Sequence, residues 1–287
     1  MRIDEPIDYR SGFVTLVGRS NVGKSTLVNA LLEQKVSIVS EKPQTTRTEV
    51  RGVLTYPNTQ AVFCDTPGIH KPKTLLGRRL NATTRSALTD MDVVLFLIEA
   101  NSTIGLGDRF IAGGLPADKT VLVLNKIDLA SKSRVLSQLS EISKYGFSEY
   151  FPVSAFTGEG VDDLRTHLMG CLPKGPCYYP EEKVRDTSDS FWVAELVREQ
   201  LLAELYEEIP YSIATRVTDW DWPVIRCEIL VERDSQKGIV IGKGGEVLKR
   251  VGSRVREQLP SGAFLELVVR VEKNWQKSPK SLEKFGY

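Results

Sequence analysis

No run of the chain approaches the roughly 18 consecutive apolar residues that a membrane-crossing helix needs, so no helical span is expected. The opening stretch, residues 1–10, carries acids and has no apolar centre. It does not read as a signal peptide, and the expected location is the cytoplasm. Charge of one sign is missing too. Lys and Arg number 38 against 37 Asp and Glu, a net +1, so any surface that attracts nucleic acid or anionic lipid must be local. Cysteine is scarce: Cys64, Cys171, Cys177 and Cys227 are irregularly spaced, and a reducing compartment would keep them as thiols. His167 and Cys171 are four apart on an expected helix, with Cys177 nearby. That set has no CxxC pair and falls one ligand short of structural zinc, so these residues read as small fillers near a domain boundary. No internal repeat or low-complexity tract interrupts the chain.

Hydrophobic residues make up 41% and charged residues 26% of the 287, enough apolar material for two buried cores. A length prior of about 150 residues per domain also suggests two. Apolar runs alternate with helical patterns over the first part. GFVTLVG (12–18) reads as a strand, and a helix is expected from Lys24 to about Glu33. SEKPQTTRTE (40–49) reads as an extended polar loop, and EVRGVLTY (49–56) and AVFCD (61–65) as strands. DVVLFLIEA (92–100) and TVLVLNK (120–126) are continuously apolar, as expected of strands covered on both faces. EYFPVSA (149–155) and VDDLRTHLMG (161–170) close the series as strand and helix. The expected fold is α/β, a mostly parallel sheet with helices on both faces, over residues 10–172. A linker rich in Pro and Gly is expected over 173–190.

GRSNVGKST (18–26) matches G-x-x-x-x-G-K-[ST] between an expected strand and an expected helix. Gly18 and Gly23 let the backbone curl so that its N–H groups, including those of Asn21, Val22 and Thr26, point at phosphates on the helix N-terminus. Lys24 should reach the β- and γ-phosphates, and the Ser25 hydroxyl should bind Mg²⁺. DTPG follows a strand: Asp65 is the candidate for the Mg²⁺ shell, with Thr66 and Pro67 in the turn and the Gly68 N–H aimed at the γ-phosphate. In NKID, the Asp128 carboxylate can accept two hydrogen bonds from guanine N1 and N2, which adenine cannot supply. The Lys126 stem should cover the base, and Asn125 should tie the base loop to the phosphate loop. SAFTG adds Ser154, Ala155 and Phe156, with the Ala155 N–H toward guanine O6. In QTTR (44–47), Thr46, or less favourably Thr45, should bind Mg²⁺ with GTP and release it after hydrolysis.

Taken in order, these five segments resemble the translation-factor-related class of small GTPases, which implies GTP/GDP and Mg²⁺ as ligands. Many such proteins place a glutamine after the DxxG glycine to orient the attacking water. Ile69 stands there and cannot orient water by hydrogen bonding, so slow turnover is expected, with Lys24, Thr46, Gly68 and Asn21 carrying catalysis. Asn21 and the QTTR loop resemble those of potassium-stimulated relatives, which implies K⁺ as a further cation.

The second half has a different order. WVAELVREQLLAELYEEI (192–209) reads as an amphipathic helix. SIATRVTDW (212–220) and VIRCEILVE (224–232) read as strands, GEVLKRVGSRVREQL (245–259) as a helix and FLELVVRVE (264–272) as a strand. This α-β-β-α-β unit is expected over 191–275, with a tail over 276–287. Gly242-Lys243-Gly244-Gly245 precedes its second helix. A GxxG loop there is that of an α+β KH domain of the prokaryotic type, which lies against about four nucleotides of single-stranded RNA. Lys237, Lys243, Lys249, Arg250, Arg254 and Arg256 face only Glu246 in this stretch. The candidate RNA contacts are Gly242, Lys243, Gly244, Gly245, Lys249 and Arg250. Trp220 and Trp222 read as a hairpin tip packing on itself, ahead of the alternative that they stack on bases.

One GTPase domain followed by one KH domain resembles the Era family across the whole chain. GRSNVGKSTLVNALL, KPQTTRTEVRG, DTPGIHKPK, VIGKGGEVLKRVG and the closing SLEKFGY carry that resemblance. It implies a monomeric switch whose KH domain binds the 3′ end of small-subunit (16S) ribosomal RNA in small-subunit assembly. It also implies that the GTP state gates RNA access and that membrane contact is peripheral, at the inner face. Ser20 stands where the family usually has proline, Phe156 where it has leucine, and EQLPSGAF (257–264) is short. The competing readings are a ribosome-assembly or tRNA-modification GTPase of another family, a switch whose KH unit binds protein or membrane, and a metabolic nucleotide hydrolase.

Overall fold

The computed structural model describes residues 8–72, 74–89 and 91–287. Residues 1–7, most of the stretch read against a signal peptide, lie outside the described residues, as do Lys73 and Asp90. Two compact units divide the chain. One holds the described residues through Ser37, Thr46–Lys71 and Leu80–Asp186; the other holds Ile38–Thr45, Pro72–Arg79 and Thr187–Tyr287.

The first unit is built on strands β1 (Arg10–Gly18), β2 (Val50–Tyr56), β3 (Thr59–Asp65), β4 (Val93–Glu99), β5 (Thr120–Asn125) and β6 (Glu149–Pro152), in sheet order β2-β3-β1-β4-β5-β6. Only β2 runs antiparallel, because Pro57 and Asn58 turn it directly into β3; every other neighbour pair is parallel. Alternation along β4 shows why its sequence is apolar throughout. Val93, Leu95 and Leu97 join a core with Leu27, Leu31 and Leu164, while Val94, Phe96 and Ile98 join one with Leu122, Ile142 and Phe147. Helices α1 (Lys24–Leu32), α2 (Leu75–Ser86), α3 (Leu106–Ala112), α4 (Lys132–Ile142) and α5 (Val161–Cys171) complete the α/β pattern. α1 stops one residue earlier than expected, where Glu33 takes a left-handed conformation (φ 52°).

The parallel strands bring the motifs to one sheet edge. Gly18, Asp65 and Asn125 are the last residues of β1, β3 and β5, and Ser154 follows β6 by two residues. Ligands of open α/β sheets bind at this carboxyl edge.

The second unit contains α6 (Asp189–Glu204), α7 (Ile209–Ser212), β7 (Ala214–Asp221), β8 (Val224–Val231), α8 (Asp234–Ile241), α9 (Glu246–Arg256), β9 (Phe264–Val271) and α10 (Pro279–Lys284). β8 is central, antiparallel to β7 and parallel to β9. Leu196, Val197 and Leu201 of α6 and Val251 and Val255 of α9 pack on Cys227, Ile229, Leu265 and Val269. α6 is shorter than its periodicity suggests: Leu205 is extended, and Pro210 starts the single turn of α7, so β7 begins at Ala214. The expected order lacked α8, so the glycine loop joins two helices. The tail folds as well, with Trp275 fully buried against Phe285 and donating Nε1–H to the Ser212 carbonyl at 2.8 Å.

Among the described residues no helix is long and apolar enough to cross a membrane, and no three His, Cys, Asp or Glu side chains gather as a metal site. Cys171 and His167 do meet, at 3.3 Å, but Cys177 lies instead against Gln60 and the Tyr179 carbonyl.

Candidate functional site

The phosphate loop turns on Gly23, which caps α1 with φ 96°. A Cβ there would strike Asn125 Nδ2, which approaches to donate to the Val22 carbonyl at 2.8 Å. Gly23 therefore supplies both the left-handed backbone and the room for Asn125. Asn125 Oδ1 accepts from the Ala155 N–H at 3.0 Å, so one buried amide ties the phosphate loop, β5 and the SAFTG turn together. In this state the Ala155 N–H, expected to face guanine O6, is held by Asn125.

Gly68 packs against the same loop. A Cβ would meet Ser20 Cα at 2.7 Å, and the next residue, Ile69, donates its N–H to the Gly18 carbonyl at 3.1 Å. Thr66 Oγ1 donates to the Leu16 carbonyl at 2.7 Å, and the Pro67 carbonyl accepts from Thr84 Oγ1 at 2.9 Å, fixing the turn on both sides. Asn21 takes a left-handed conformation (φ 67°) and is exposed; Thr26 follows in the first turn of α1.

Ser25, Thr46 and Asp65 converge. Ser25 Oγ donates to Asp65 Oδ2 at 2.7 Å, Thr46 Oγ1 lies 3.3 Å from the same oxygen, and the two hydroxyls are 3.0 Å apart. Asp65 is fully buried and its Oδ1 has no hydrogen-bond partner. A buried carboxylate oxygen left unpaired beside two hydroxyls is a hard, all-oxygen donor set, and it fits Mg²⁺. Lys24 Nζ reaches the carbonyls of Arg19 (3.0 Å) and Gly18 (3.4 Å). Burial pushes its ammonium from 10.5 down to about 8, against the pull of the Asp65 carboxylate. Burial likewise raises the Asp65 carboxyl, against Lys24 and the Ser25 hydroxyl. Both groups are desolvated in the protein alone, the condition in which a charged ligand interacts most strongly.

At the base end, Ser154 Oγ donates to Asp128 Oδ1 at 2.6 Å and accepts from the Thr157 N–H at 3.1 Å. Lys126, itself left-handed (φ 64°), donates to the Asn21 carbonyl at 2.7 Å and pairs with Glu99. Glu99 was not singled out in the sequence, yet its position at the end of β4 is the signal that marks the other site residues. Phe156 is 86% exposed.

In the second unit, the Gly242 to Gly245 loop between α8 and α9 has φ of 75° at Gly242, 62° at Gly244 and 81° at Gly245. A Cβ at Gly242 would meet the Val247 N at 2.9 Å, whereas one at Gly244 meets nothing within 4 Å. Lys243 and Lys249 are exposed. The basic cluster is weaker than a local count suggests. Glu204 of α6 accepts from Arg250 Nη2 and Arg254 Nη1, each at 2.8 Å, and these partners hold its carboxyl below the usual range. Trp220 and Trp222, at the β7–β8 tip, are 40% and 51% exposed.

Residues 13–126 match the family described as 50S ribosome-binding GTPase, and residues 208–276 match the KH domain family. Two solved structures resemble nearly the whole chain. An Era bound to MgGDPNP and nucleotides 1506–1542 of 16S ribosomal RNA is 37% identical, with a TM-score of 0.92 over 97% of this chain and 99% of that one. An Aquifex aeolicus Era variant bound to GDP and AlF4⁻ is 38% identical, with the same TM-score and coverage. The chain belongs to the Era family of GTPases.

Proposed function

We propose that this protein is a GTP-hydrolysing switch whose KH unit binds the 3′ end of 16S ribosomal RNA during small-subunit assembly, with the nucleotide state setting RNA access. The observation that carries the reading is the convergence of Ser25, Thr46 and Asp65 on one edge of the sheet, in a chain that also presents an open GxxG loop. Support for the RNA comes from the family relationship to an Era solved with that segment.

In this reading residues 10–172 handle the nucleotide, 173–190 link, 191–275 bind RNA and 276–287 form a tail. Lys24 and the N–H groups from Gly18 to Thr26 neutralise phosphate charge. Ser25, Thr46 and Asp65 hold Mg²⁺, which when bound draws charge from the β- and γ-phosphate oxygens. The Gly68 N–H meets the γ-phosphate, with Thr66 and Pro67 holding the turn. Asp128, aligned by Ser154, selects guanine; Lys126 and Phe156 flank the base, and Ala155 addresses O6 once Asn125 releases its N–H. Ile69 offers the attacking water no hydrogen bond, so intrinsic hydrolysis is slow, and Asn21 supports K⁺ in the role an arginine finger plays elsewhere. Gly242 to Gly245 lie on the RNA backbone with Lys243 and Lys249, and Arg250 joins them by exchanging Glu204 for phosphate. The protein acts as a cytoplasmic monomer, and its membrane contact is peripheral.

Two assays test this. GTP hydrolysis should be faster in KCl than in NaCl, and equal rates remove the potassium role. A pyrimidine-rich single strand should bind in preference to a duplex, with affinity falling as salt rises. Equal retention of both would contradict the KH reading.

A further inference from the structure

The segment Ile38–Thr45, which leads into Thr46, is part of the second unit, while Thr46 itself is part of the first. Within the second unit it is fastened to α6. Arg198 is fully buried and donates through Nη2 to the Thr45 carbonyl at 2.5 Å. Its Nε donates to Glu195 Oε1 at 2.8 Å, and Nη2 also pairs with Glu195 Oε2. One turn away, Glu199 Oε1 accepts the Val39 N–H at 2.9 Å. Lys42 lies over the Tyr206 ring just past the helix, 4.9 Å from its centroid. A buried guanidinium is costly unless its charge is balanced and its donors are used. Glu195 balances this charge and leaves Nη2 aimed at a single carbonyl, while the buried Nη1 has no hydrogen-bond partner.

We propose that Arg198 is a positioning residue for Thr46, which it controls through the Thr45 carbonyl. Consecutive Cα atoms are only about 3.8 Å apart, so a restraint on Thr45 is a restraint on Thr46. Thr46 lies beside Ser25 and Asp65, so a restraint carried to it through the backbone bears on the side chain that would bind Mg²⁺. The same helix carries Glu204, whose two arginine partners lie on α9, the helix that opens at the glycine loop. α6 therefore carries two separate polar anchors, Arg198 on the Thr45 carbonyl and Glu204 on Arg250 and Arg254 of α9.

The inference rests on the reading of Thr46 as a Mg²⁺ ligand in the GTP state, and the experiment separates the two. Dissociation of fluorescent GTP-analogue and GDP complexes is timed in excess Mg²⁺ for the wild type, Thr46→Ala, Arg198→Met and Glu199→Ala, the full chain being used throughout and each variant checked by thermal melting. Thr46→Ala should speed release of the analogue and leave GDP unchanged. Arg198→Met should do the same by about tenfold or more, the size of one net hydrogen bond made by a charged group. Glu199→Ala removes the second tether without emptying the guanidinium site, and carries the test if Arg198→Met does not fold. The ratio of RNA affinities in the analogue and GDP states should also shrink toward one in both α6 variants. If Thr46→Ala selectively speeds analogue release but neither α6 variant does, the positioning role is wrong and the Thr46 reading stands. If the α6 variants accelerate both nucleotides equally, their role is structural and the inference falls. If Thr46→Ala has no selective effect, the reading beneath the inference falls with it.

Discussion

Ser154 Oγ donates to Asp128 Oδ1 across 2.6 Å and receives the Thr157 N–H on its other side, so the hydroxyl turns the carboxylate and is itself turned. Ser154→Ala should weaken GDP by about tenfold, the loss of one hydrogen bond to a charged acceptor. Asp128→Asn should do more, because an amide N–H₂ then faces the guanine N–H donors. A xanthine nucleotide, with an oxygen at C2 in place of the amine, should bind that variant better than GDP. Competition against a fluorescent GDP measures both; unchanged guanine preference in Asp128→Asn would contradict the assigned base contact.

Removal of Mg²⁺ should separate Ser25 from Thr46. Ser25→Ala should weaken the Mg²⁺ dependence of both GDP and the GTP analogue. Thr46→Ala should act on the analogue alone and lower single-turnover hydrolysis by about 10²-fold or more, as for loss of one transition-state contact. Chelation by EDTA should speed wild-type nucleotide release and have less effect on Ser25→Ala.

The four thiols should react in sequence. Cys64 and Cys227 are buried, and burial pushes both thiols up to about 12, so neither forms thiolate at pH 8. Cys171 is exposed, although partial burial and the Glu149 carboxylate raise its thiol. Titration with a disulfide reagent at pH 8 should label Cys171 first and reach Cys64 and Cys227 only on unfolding. Rapid labelling of Cys227 in the folded protein would show that the α6–α9 face of the sheet opens.

Trp275, the last residue of the stretch read as the KH unit, is fully buried and hydrogen-bonded. Trp275→Ala should cost about 3–5 kcal/mol of stability in the second unit, measured by urea unfolding. GDP affinity should stay within about twofold, because Trp275 packs in the core of the second unit and the nucleotide residues belong to the first.

The sequence was most legible where a residue type is required by one atom-level task. Gly23, Lys24, Ser25, Asp65, Asn125 and Asp128 are recognisable because their motifs end or follow β1, β3 and β5, and the parallel sheet brings those strand ends together. β4 was legible because burial on both faces leaves no polar position. α8 was not. Gly238 followed by Ile239, Val240 and Ile241 has the local preference of a turn and a strand, and packing of Val240 in the core overrides it. The pairing of Glu204 with Arg250 crosses 46 residues, so a count of charge along residues 237–256 misses it. Arg198 was equally hidden, because nothing in an amphipathic helix pattern distinguishes a buried arginine from a solvated one.

Guanine nucleotide state and RNA binding belong, in the proposed function, to one switch. The most direct measurement is the affinity of an oligomer carrying the 16S 3′-terminal sequence for the protein loaded with a non-hydrolysable GTP analogue and then with GDP. Gly244→Asp is the better control than a change at Gly242, because a Cβ at Gly244 meets nothing within 4 Å and aspartate tolerates its left-handed backbone. Binding should be tighter in the analogue state, and Gly244→Asp should lose about tenfold or more from charge repulsion at phosphate, with GTP hydrolysis intact. Equal affinity in the two nucleotide states, or a Gly244→Asp protein that binds as well as the wild type, would contradict the proposed switch.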